Sequence, residues 1–506
     1  MNTQPDELSK RRAEKAAAKA AEEKAEQELK ALQQRQKEQA DAQHATNVLE
    51  VTAKLNALHA VVTLGGKTLI MTEQQSQVDP GRIERTFSNR SDIELRYMNE
   101  RYGCGLNASG KPIIKTADAI WLEAEGRRQY DEVVLDPCGT PGGNDETRVY
   151  NLFRGWRVKA DAAFLKPKAN MKKWKKVHDH VLKVICNGHT VHARWVFAWI
   201  AERLKHPNKP GMVAIVLIGE EGAGKGVFAT HIVGGLYNPQ HFVPVANPEH
   251  LTGRFNNHLA DALLVFADEA YFAGDPRGAG QLFTLITEDR VMLEPKFADV
   301  ASLKNQRSII MSSNHTLVVP AGPRARRFAV FEVDETHIGD HKYFKALLEE
   351  LDGGGREEMV RYLLQEDFSD VNVLAAPMTD ALMRQKEQGF KNPERYWFDL
   401  VRTGFVPQNG AANIEWGEND VMAPTATFVR DYLDTPYMKR AHQTDIRAAE
   451  TQLGMQLAKF IPSRRKERHR SGPKNERPVC WVLPPLAKAR AELDKALGAP
   501  YPWDGE

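Results

Sequence analysis

The segment Gly219 to Gly226 reads Gly-Glu-Glu-Gly-Ala-Gly-Lys-Gly, and no other stretch of the chain offers so specific a chemistry. It follows the apolar run from Met212 to Ile218 and precedes Val227 to Ile232, which gives the order strand, glycine-rich loop, helix. Glycines let backbone N–H groups turn inward around a phosphate with no Cβ in the way. The helix start adds partial positive charge, and Lys225 adds a full one. Gly219, Glu220, Glu221, Gly222, Ala223, Gly224, Lys225, Gly226 and Val227 are therefore the expected contacts for a nucleoside triphosphate, ATP in the first instance. Gly226 stands where a Ser or Thr hydroxyl ordinarily ligates Mg²⁺. Thr230 lies one helical turn further on, too distant to substitute, so water anchored by Asp268 is the expected replacement.

Hydrolysis needs more than a cradle. Leu263 to Ala267 is an apolar run that ends in Asp268-Glu269. Asp268 is placed to hold Mg²⁺, and Glu269 to orient and deprotonate the attacking water. A second apolar run, Ile309 to Ser313, ends in Asn314, whose amide can contact the γ-phosphate or that water. Arg324, Arg326 and Arg327 follow Pro320-Ala321-Gly322-Pro323, and one of them could reach the γ-phosphate held by a neighbouring subunit. The spacing does not say which.

These side chains need a scaffold. Residues 211–350 alternate continuous apolar runs with helical patterns, as in a parallel α/β sheet buried on both faces. Residues 1–48 are nearly all Ala, Lys, Glu, Gln and Arg, which predicts a charged helical or flexible arm. Residues 49–210 read as an α/β region, with a hairpin around Gly65-Gly66 and two helices broken at Asn187-Gly188. Residues 351–395 read as a helical linker. Residues 396–506 read as helix, helix, basic loop and strand, the order of a winged helix, with Arg464, Arg465, Lys466, Arg468 and Arg470 as DNA-phosphate contacts.

The chain has 506 residues and a net charge of +2, so any nucleic-acid contact rests on local patches. No apolar run reaches the roughly 20 residues of a membrane span. The four cysteines are scattered, which fits a reducing compartment. Cys186 with His189 and His192 lacks an evident fourth metal ligand and reads as a core thiol beside two histidines.

Together these features resemble the superfamily 3 helicases, a subgroup of AAA+ ATPases, and within them the helicase module of phage and plasmid primase-helicases. The resemblance runs from about 115 to 335 and includes Trp121-Leu122, Arg127 to Tyr130, Tyr150 to Gly155, Leu251 to Asn256 and Asp268-Glu269-Ala270. It implies an AAA+ P-loop core, a homo-hexameric ring, translocation on single-stranded DNA and unwinding of forked DNA in the cytoplasm of a bacterial host. Its pore hairpin would map to Val291–Lys304, with Lys296 and Lys304 as DNA contacts. The upstream residues hold no convincing acidic set for nucleotide polymerisation, so primase activity is not expected, and a separate primase or initiator would serve as partner. Adenylate kinases also carry Gly-Lys-Gly, so Gly226 does not exclude ATP. Two other readings stay open: a nucleoside-monophosphate kinase, and an ATP-bound initiator or DNA-binding scaffold with weak or no hydrolysis.

Overall fold

The structure, a computed structural model, describes every residue except 1–4, 80, 145, 248–250, 252–258, 270–275, 294–300, 316–317, 319–325, 409–411, 441–444, 470–476, 499–500, 502 and 504–506. Arg324, Lys296, Arg470 and the Pro320–Pro323 and Gly472-Pro473 segments lie outside the described residues. The chain divides into two units. The first holds residues 1–135, 140–152 and 297–301, and the second holds 136–139, 153–296 and 302–506.

In the first unit, helix α1 runs from Pro5–Asn56. Its Ala, Lys, Glu and Gln content favours helix, and pairs such as Glu26–Lys30, 2.6 Å apart, support it along the surface. The side chains from Ser9 to Gln39 are exposed, because no apolar stripe exists to bury. Only the last turns, with Val51 and Leu55, enter a core with Ile93 and Trp121. Strands β1 (His59–Leu64) and β2 (Lys67–Gln75) form the antiparallel hairpin that Gly65 and Gly66 turn with positive φ. Strand β3 (Ile83–Ser88) pairs with β2, and the short β4 (Gln129–Tyr130) pairs in parallel with β1.

In the second unit, a short 3₁₀ turn over Met171–Lys173 precedes the helix Lys175–Asp179, which continues as a π-helical stretch over His180–Ile185. Asn187 and Gly188, both with positive φ, break it from helix α2 (Thr190–Lys205). Strands β5 (Ala214–Ile218), β6 (Phe242–Val245) and β7 (Leu264–Ala267) follow, then helix α3 (Pro276–Thr287). Strands β8 (Arg290–Leu293) and β9 (Ala301–Lys304) form a two-stranded sheet of their own. Strands β10 (Ser308–Ser313) and β11 (Phe328–Glu332) return to the main sheet.

That sheet has five strands in the order β6-β7-β10-β5-β11, and every neighbouring pair is parallel. Ala214 to Ile218 is buried at every position, the signature of a strand covered on both faces. The chain order therefore differs from the spatial order. β10 is inserted between β5 and β7, and this brings the ends of all three strands to one edge.

Helices α4 (His341–Glu350), α5 (Arg356–Gln365) and α6 (Asp380–Gln388) follow the sheet, with Gly354 at φ 99° between the first two. Residues beyond them gather around a second core that includes Trp397, Phe428, Leu453 and Trp481. Its helices are α7 (Asn392–Thr403), α8 (Thr425–Asp434), α9 (Ile446–Phe460) and α10 (Leu486–Leu497). Its three-stranded antiparallel sheet sets β14 (Val479–Leu483) between β12 (Val421–Pro424) and β13 (Arg465–Arg468).

Candidate functional site

Strand β5 ends at Ile218, and the chain then turns through Gly219, Gly222 and Gly224, all with positive φ. Gly224, at φ 102°, shows why glycine is needed there. A Cβ on it would come within 2.7 Å of His180 Cε1 and 3.0 Å of Phe344 Cε1. Gly226 is different. Its backbone is helical, at φ −64° and ψ −37°, and a Cβ on it would meet nothing within 4 Å. The residues after it, Val227–Val233, are helical but of π type.

Lys225 is buried, and its Nζ donates to the carbonyl of Gly219, to the carbonyl of Glu220 at 2.8 Å and to Asn314 Oδ1 at 2.8 Å. Burial lowers its pKa, while Asp268 and the loop carboxylates Glu220 and Glu221 pull the other way. Asn314 reaches Lys225 because β10 lies directly beside β5, with Ser313 opposite Ile218.

Strand β7 delivers Asp268 from the other side of β10. Ser312 Oγ donates to Asp268 Oδ1, and the Glu269 N–H donates to the same oxygen at 3.2 Å. Asp268 Oδ2 has no partner among the described residues. Glu269 adopts φ 52°, a left-handed conformation rare for a residue with a Cβ and of the kind that collects at functional sites.

These groups line one cavity of about 700 Å³, which contains Glu221, Gly222, Gly224, Lys225, Gly226, Val227, Asp268, Glu269 and Asn314. Its far wall is Ile338, Gly339, His341 and Phe344. Beneath the loop lies His180, fully buried, with Nδ1 3.1 Å from the Tyr343 hydroxyl. Burial pushes its pKa down to about 4, so the ring that supports Gly224 is neutral at pH 7. Tyr343 in turn stacks on His337 with ring centroids 3.6 Å apart.

Four of the sequence-selected residues, Lys225, Asp268, Glu269 and Asn314, thus come together. The arginines separate in character. Arg326 is exposed, whereas Arg327 is half-buried with its guanidinium carbon 5.0 Å from the Phe283 ring centroid. Lys304 is exposed on β9. In the C-terminal module, Arg464 precedes β13, which carries Arg465, Lys466 and Arg468. Arg465 is held by Asp420 at 2.8 Å and Glu467 at 3.3 Å, and Lys466 sits over the Trp481 ring at 5.8 Å. Arg464 and Arg468 make no ion pair with any described residue.

Ser312 and His180 escape a sequence reading. Ser312 left a faint signal, a hydroxyl at the end of a buried strand beside the acidic one. His180 left none, being a histidine in an apolar helix more than 40 residues upstream. The far wall, from Ile338 to Phe344, also carries no motif.

Residues 217–327, the segment that holds the loop, the acidic strand and Asn314, match a family described as "Family of unknown function (DUF5906)". The DNA primase-polymerase of Nitratiruptor phage NrS-1 is 23% identical over 255 residues, 46% of this chain and 34% of the relative. The chain thus spans about a third of that relative's length. One apo A form structure of the NrS-1 C terminal region superposes with a TM-score of 0.56 at 15% identity, covering 85% of this chain and 98% of that one. A second apo structure of the region gives 0.54 at 15% identity, covering 86% and 99%. At these identities the likeness is one of fold: a mixed α/β protein built on a five-stranded parallel sheet.

Proposed function

We propose that this protein is an ATP-driven DNA helicase that works in phage or mobile-element replication without primase activity of its own. The observation that carries this reading is the convergence of Lys225, Asn314, Asp268 and Glu269 on one cavity floored by a glycine loop. A cradle, a cation, two carboxylates and an amide are the parts that phosphoryl transfer to water requires. The fold likeness to the NrS-1 C terminal region and the sequence relationship to a phage primase-polymerase support a role on replicating DNA.

In this reading, loop N–H groups and Lys225 bind the β- and γ-phosphates, exchanging the carbonyls that Lys225 now holds for phosphate oxygens. Ser312 fixes Asp268 through one carboxylate oxygen and leaves the other available. One or two carboxylates, with phosphate oxygens and water completing the shell, suit Mg²⁺, which when bound neutralises charge on the phosphates. Gly226 is compatible with that, because no protein hydroxyl is then required. Glu269 orients the water and takes its proton, and Asn314 steadies Lys225 or the γ-phosphate. An AAA+-type ring, a homo-hexamer, would add an arginine from the next subunit. Arg326 is the exposed candidate among the described residues. The β8–β9 segment would contact the translocated strand through Lys304 and Lys296, and the winged-helix-like module would hold forked DNA by Arg464, Arg468 and their neighbours.

The test is ATP hydrolysis measured with and without single-stranded DNA over a range of protein concentration, together with strand displacement on a fork. Activity should rise with both DNA and concentration. Hydrolysis indifferent to both sinks the proposal. Imaging by electron microscopy with DNA and a non-hydrolysable ATP analogue counts the subunits. Gly226 keeps a second reading in play, an ATP-bound initiator or scaffold with weak hydrolysis. Tight ATP binding with no strand displacement would favour it.

A further inference from the structure

The π-helical stretch His180–Ile185 meets the triphosphate cavity from two sides. At its start, His180 faces the loop, where a Cβ on Gly224 would stand 2.7 Å from His180 Cε1 and 3.3 Å from Nε2. Further along, the carbonyl of Val184 accepts the Asp334 N–H at 2.8 Å, which anchors the segment leading to Ile338 and Gly339 on the far wall. Such π turns collect at functional sites. The two ring nitrogens of the fully buried His180 are used unequally. Nδ1 lies 3.1 Å from the Tyr343 hydroxyl, whereas Nε2 makes no hydrogen bond with any described residue. The Gly224 backbone is close enough to favour a proton on the ring, yet the two are not in hydrogen-bond geometry. A buried polar atom is costly to leave so, and it marks a bond made in another state of the protein. Tyr343 cannot swing away from the ring. His337 stacks on it at 3.6 Å with the planes 4° apart, Asp340 Oδ1 accepts its N–H at 3.0 Å, and Asp340 Oδ2 lies 3.3 Å from His337 Nδ1. Between His337 and Asp340 come Ile338 and Gly339, which line the cavity, although Tyr343 itself does not.

We propose that His180, held by Tyr343, is a positioning residue for the triphosphate, and that its Nε2–H donates to the Gly224 carbonyl once the nucleotide is bound, an inference that rests on reading Gly219–Gly226 as a triphosphate loop. The loop without ligand is not in its working form, because Lys225 Nζ is spent on the carbonyls of Gly219 and Glu220. Phosphate oxygens are the stronger partners for an ammonium and draw Lys225 away from those carbonyls. The loop then closes on the phosphates, and Gly224 settles onto Nε2. Its carbonyl already accepts the Phe228 N–H at 3.0 Å and has a second lone pair to offer. The Tyr343 hydroxyl donates to Nδ1 and thereby keeps the ring proton on Nε2, the choice of tautomer being set by the partner of the other nitrogen. Loop and wall thus respond to the nucleotide together, through one imidazole that touches no phosphate.

The experiment uses the full chain, with equilibrium titration of a fluorescent non-hydrolysable ATP analogue, steady-state ATP hydrolysis, and thermal melts without nucleotide. Tyr343→Phe keeps the ring that stacks on His337 and removes only the hydroxyl, so it does not threaten folding as a change at His180 does. His180→Asn keeps an amide at the level of Nδ1 and loses Nε2, whereas the longer amide of His180→Gln reaches the Nε2 position. Tyr343→Phe and His180→Asn should each raise the analogue Kd and the ATP KM at least about fivefold, the scale of one hydrogen bond, with kcat within about twofold of wild type. His180→Gln should bind more tightly than His180→Asn. The double variant Tyr343→Phe, His180→Asn should bind no more weakly than His180→Asn alone, because both act through the same bond. A merely structural role would lower Tm and the active fraction, hence kcat, and leave Kd at the wild-type value. An unchanged Kd in Tyr343→Phe overturns the inference, as does a His180→Gln protein no better than His180→Asn, or a double variant in which the two losses add. If Lys225→Ala loses the analogue while Tyr343→Phe binds it normally, the loop reading stands and His180 has no positioning role. A wild-type protein that does not bind the analogue overturns both.

Discussion

Lys225 Nζ and Asn314 Oδ1 lie 2.8 Å apart although 89 residues separate them in the chain. Only the placement of β10 beside β5 makes this contact possible. It also means that the two side chains act as a unit. Lys225→Ala should abolish ATP hydrolysis, and Asn314→Ala should lower kcat by about 10²-fold, the scale of one lost charge-stabilising donor. The double variant should be no worse than Lys225→Ala alone. Full hydrolysis by Lys225→Ala would show that the loop has been assigned wrongly.

The two glycines that flank Lys225 should answer substitution in opposite ways. Gly226→Ser fits a helical backbone with open space around its Cβ, so it should leave Tm and hydrolysis close to wild type. Gly224→Ala must hold φ 102° and push against His180 and Phe344. The backbone strain alone costs about 1–2 kcal/mol, and the crowding adds about 1–3. Thermal melts and nucleotide titrations on both variants decide the matter. Equal behaviour would contradict the loop geometry.

Ser312 and Glu269 act on different sides of Asp268. Glu269→Gln keeps the shape but cannot take a proton, so it should bind ATP and turn over at least about 10²-fold more slowly. Ser312→Ala frees the Asp268 carboxylate and should reduce kcat with little change in ATP affinity. Single-turnover rates beside equilibrium binding separate these effects. A Ser312→Ala enzyme with normal kcat would remove Ser312 from any positioning role.

Arg326 and Arg327 are adjacent in sequence and differ in surroundings. Arg326→Ala should lower hydrolysis in the assembled protein while leaving Tm unchanged, since its side chain is exposed. Arg327→Ala should lower Tm, because its stem and guanidinium pack on Phe283. Mixing Arg326→Ala with Lys225→Ala protein tests the trans arrangement. Partial recovery of hydrolysis is expected, and none should appear if both residues serve the same subunit.

Two buried histidines set the acid limit of stability. Burial takes His180 down to about 4, and burial with the nearby Arg96 does the same to His59. Both values lie below the unfolded value near 6.5, so the unfolded chain binds more protons in between. Their contribution is fully present above about pH 6.5 and is lost as pH falls towards about 4. Urea midpoints at pH 7, 6 and 5 should therefore decline. His59→Asn and His180→Asn should each flatten that decline, and an unchanged slope in both would refute this origin.

Much of the scaffold is legible in the sequence. The apolar runs from Ala214 to Ile218 and from Ser308 to Ser313 announced buried parallel strands, because two covered faces leave no polar alternation. The Gly65-Gly66 turn and the Asn187-Gly188 break were equally plain, because positive φ selects glycine and asparagine. The candidate site was legible as a set of residue types: a loop lysine, an acidic pair and a terminal amide. Local chemistry leaves such marks because each residue needs a particular neighbour in sequence.

The tertiary structure alone decided who meets whom. Strand order is set by packing across the whole sheet, and no residue of β10 records that it will lie between β5 and β7. The Ser312–Asp268 bond, the His180 support beneath Gly224 and the Ile338–Phe344 wall follow from that order and from helices docked later. The sequence by itself determined the loop, the carboxylates and the strands that carry them, since these obey short-range geometry. Their convergence on one cavity is a long-range result of burying apolar surface, which short-range patterns do not encode.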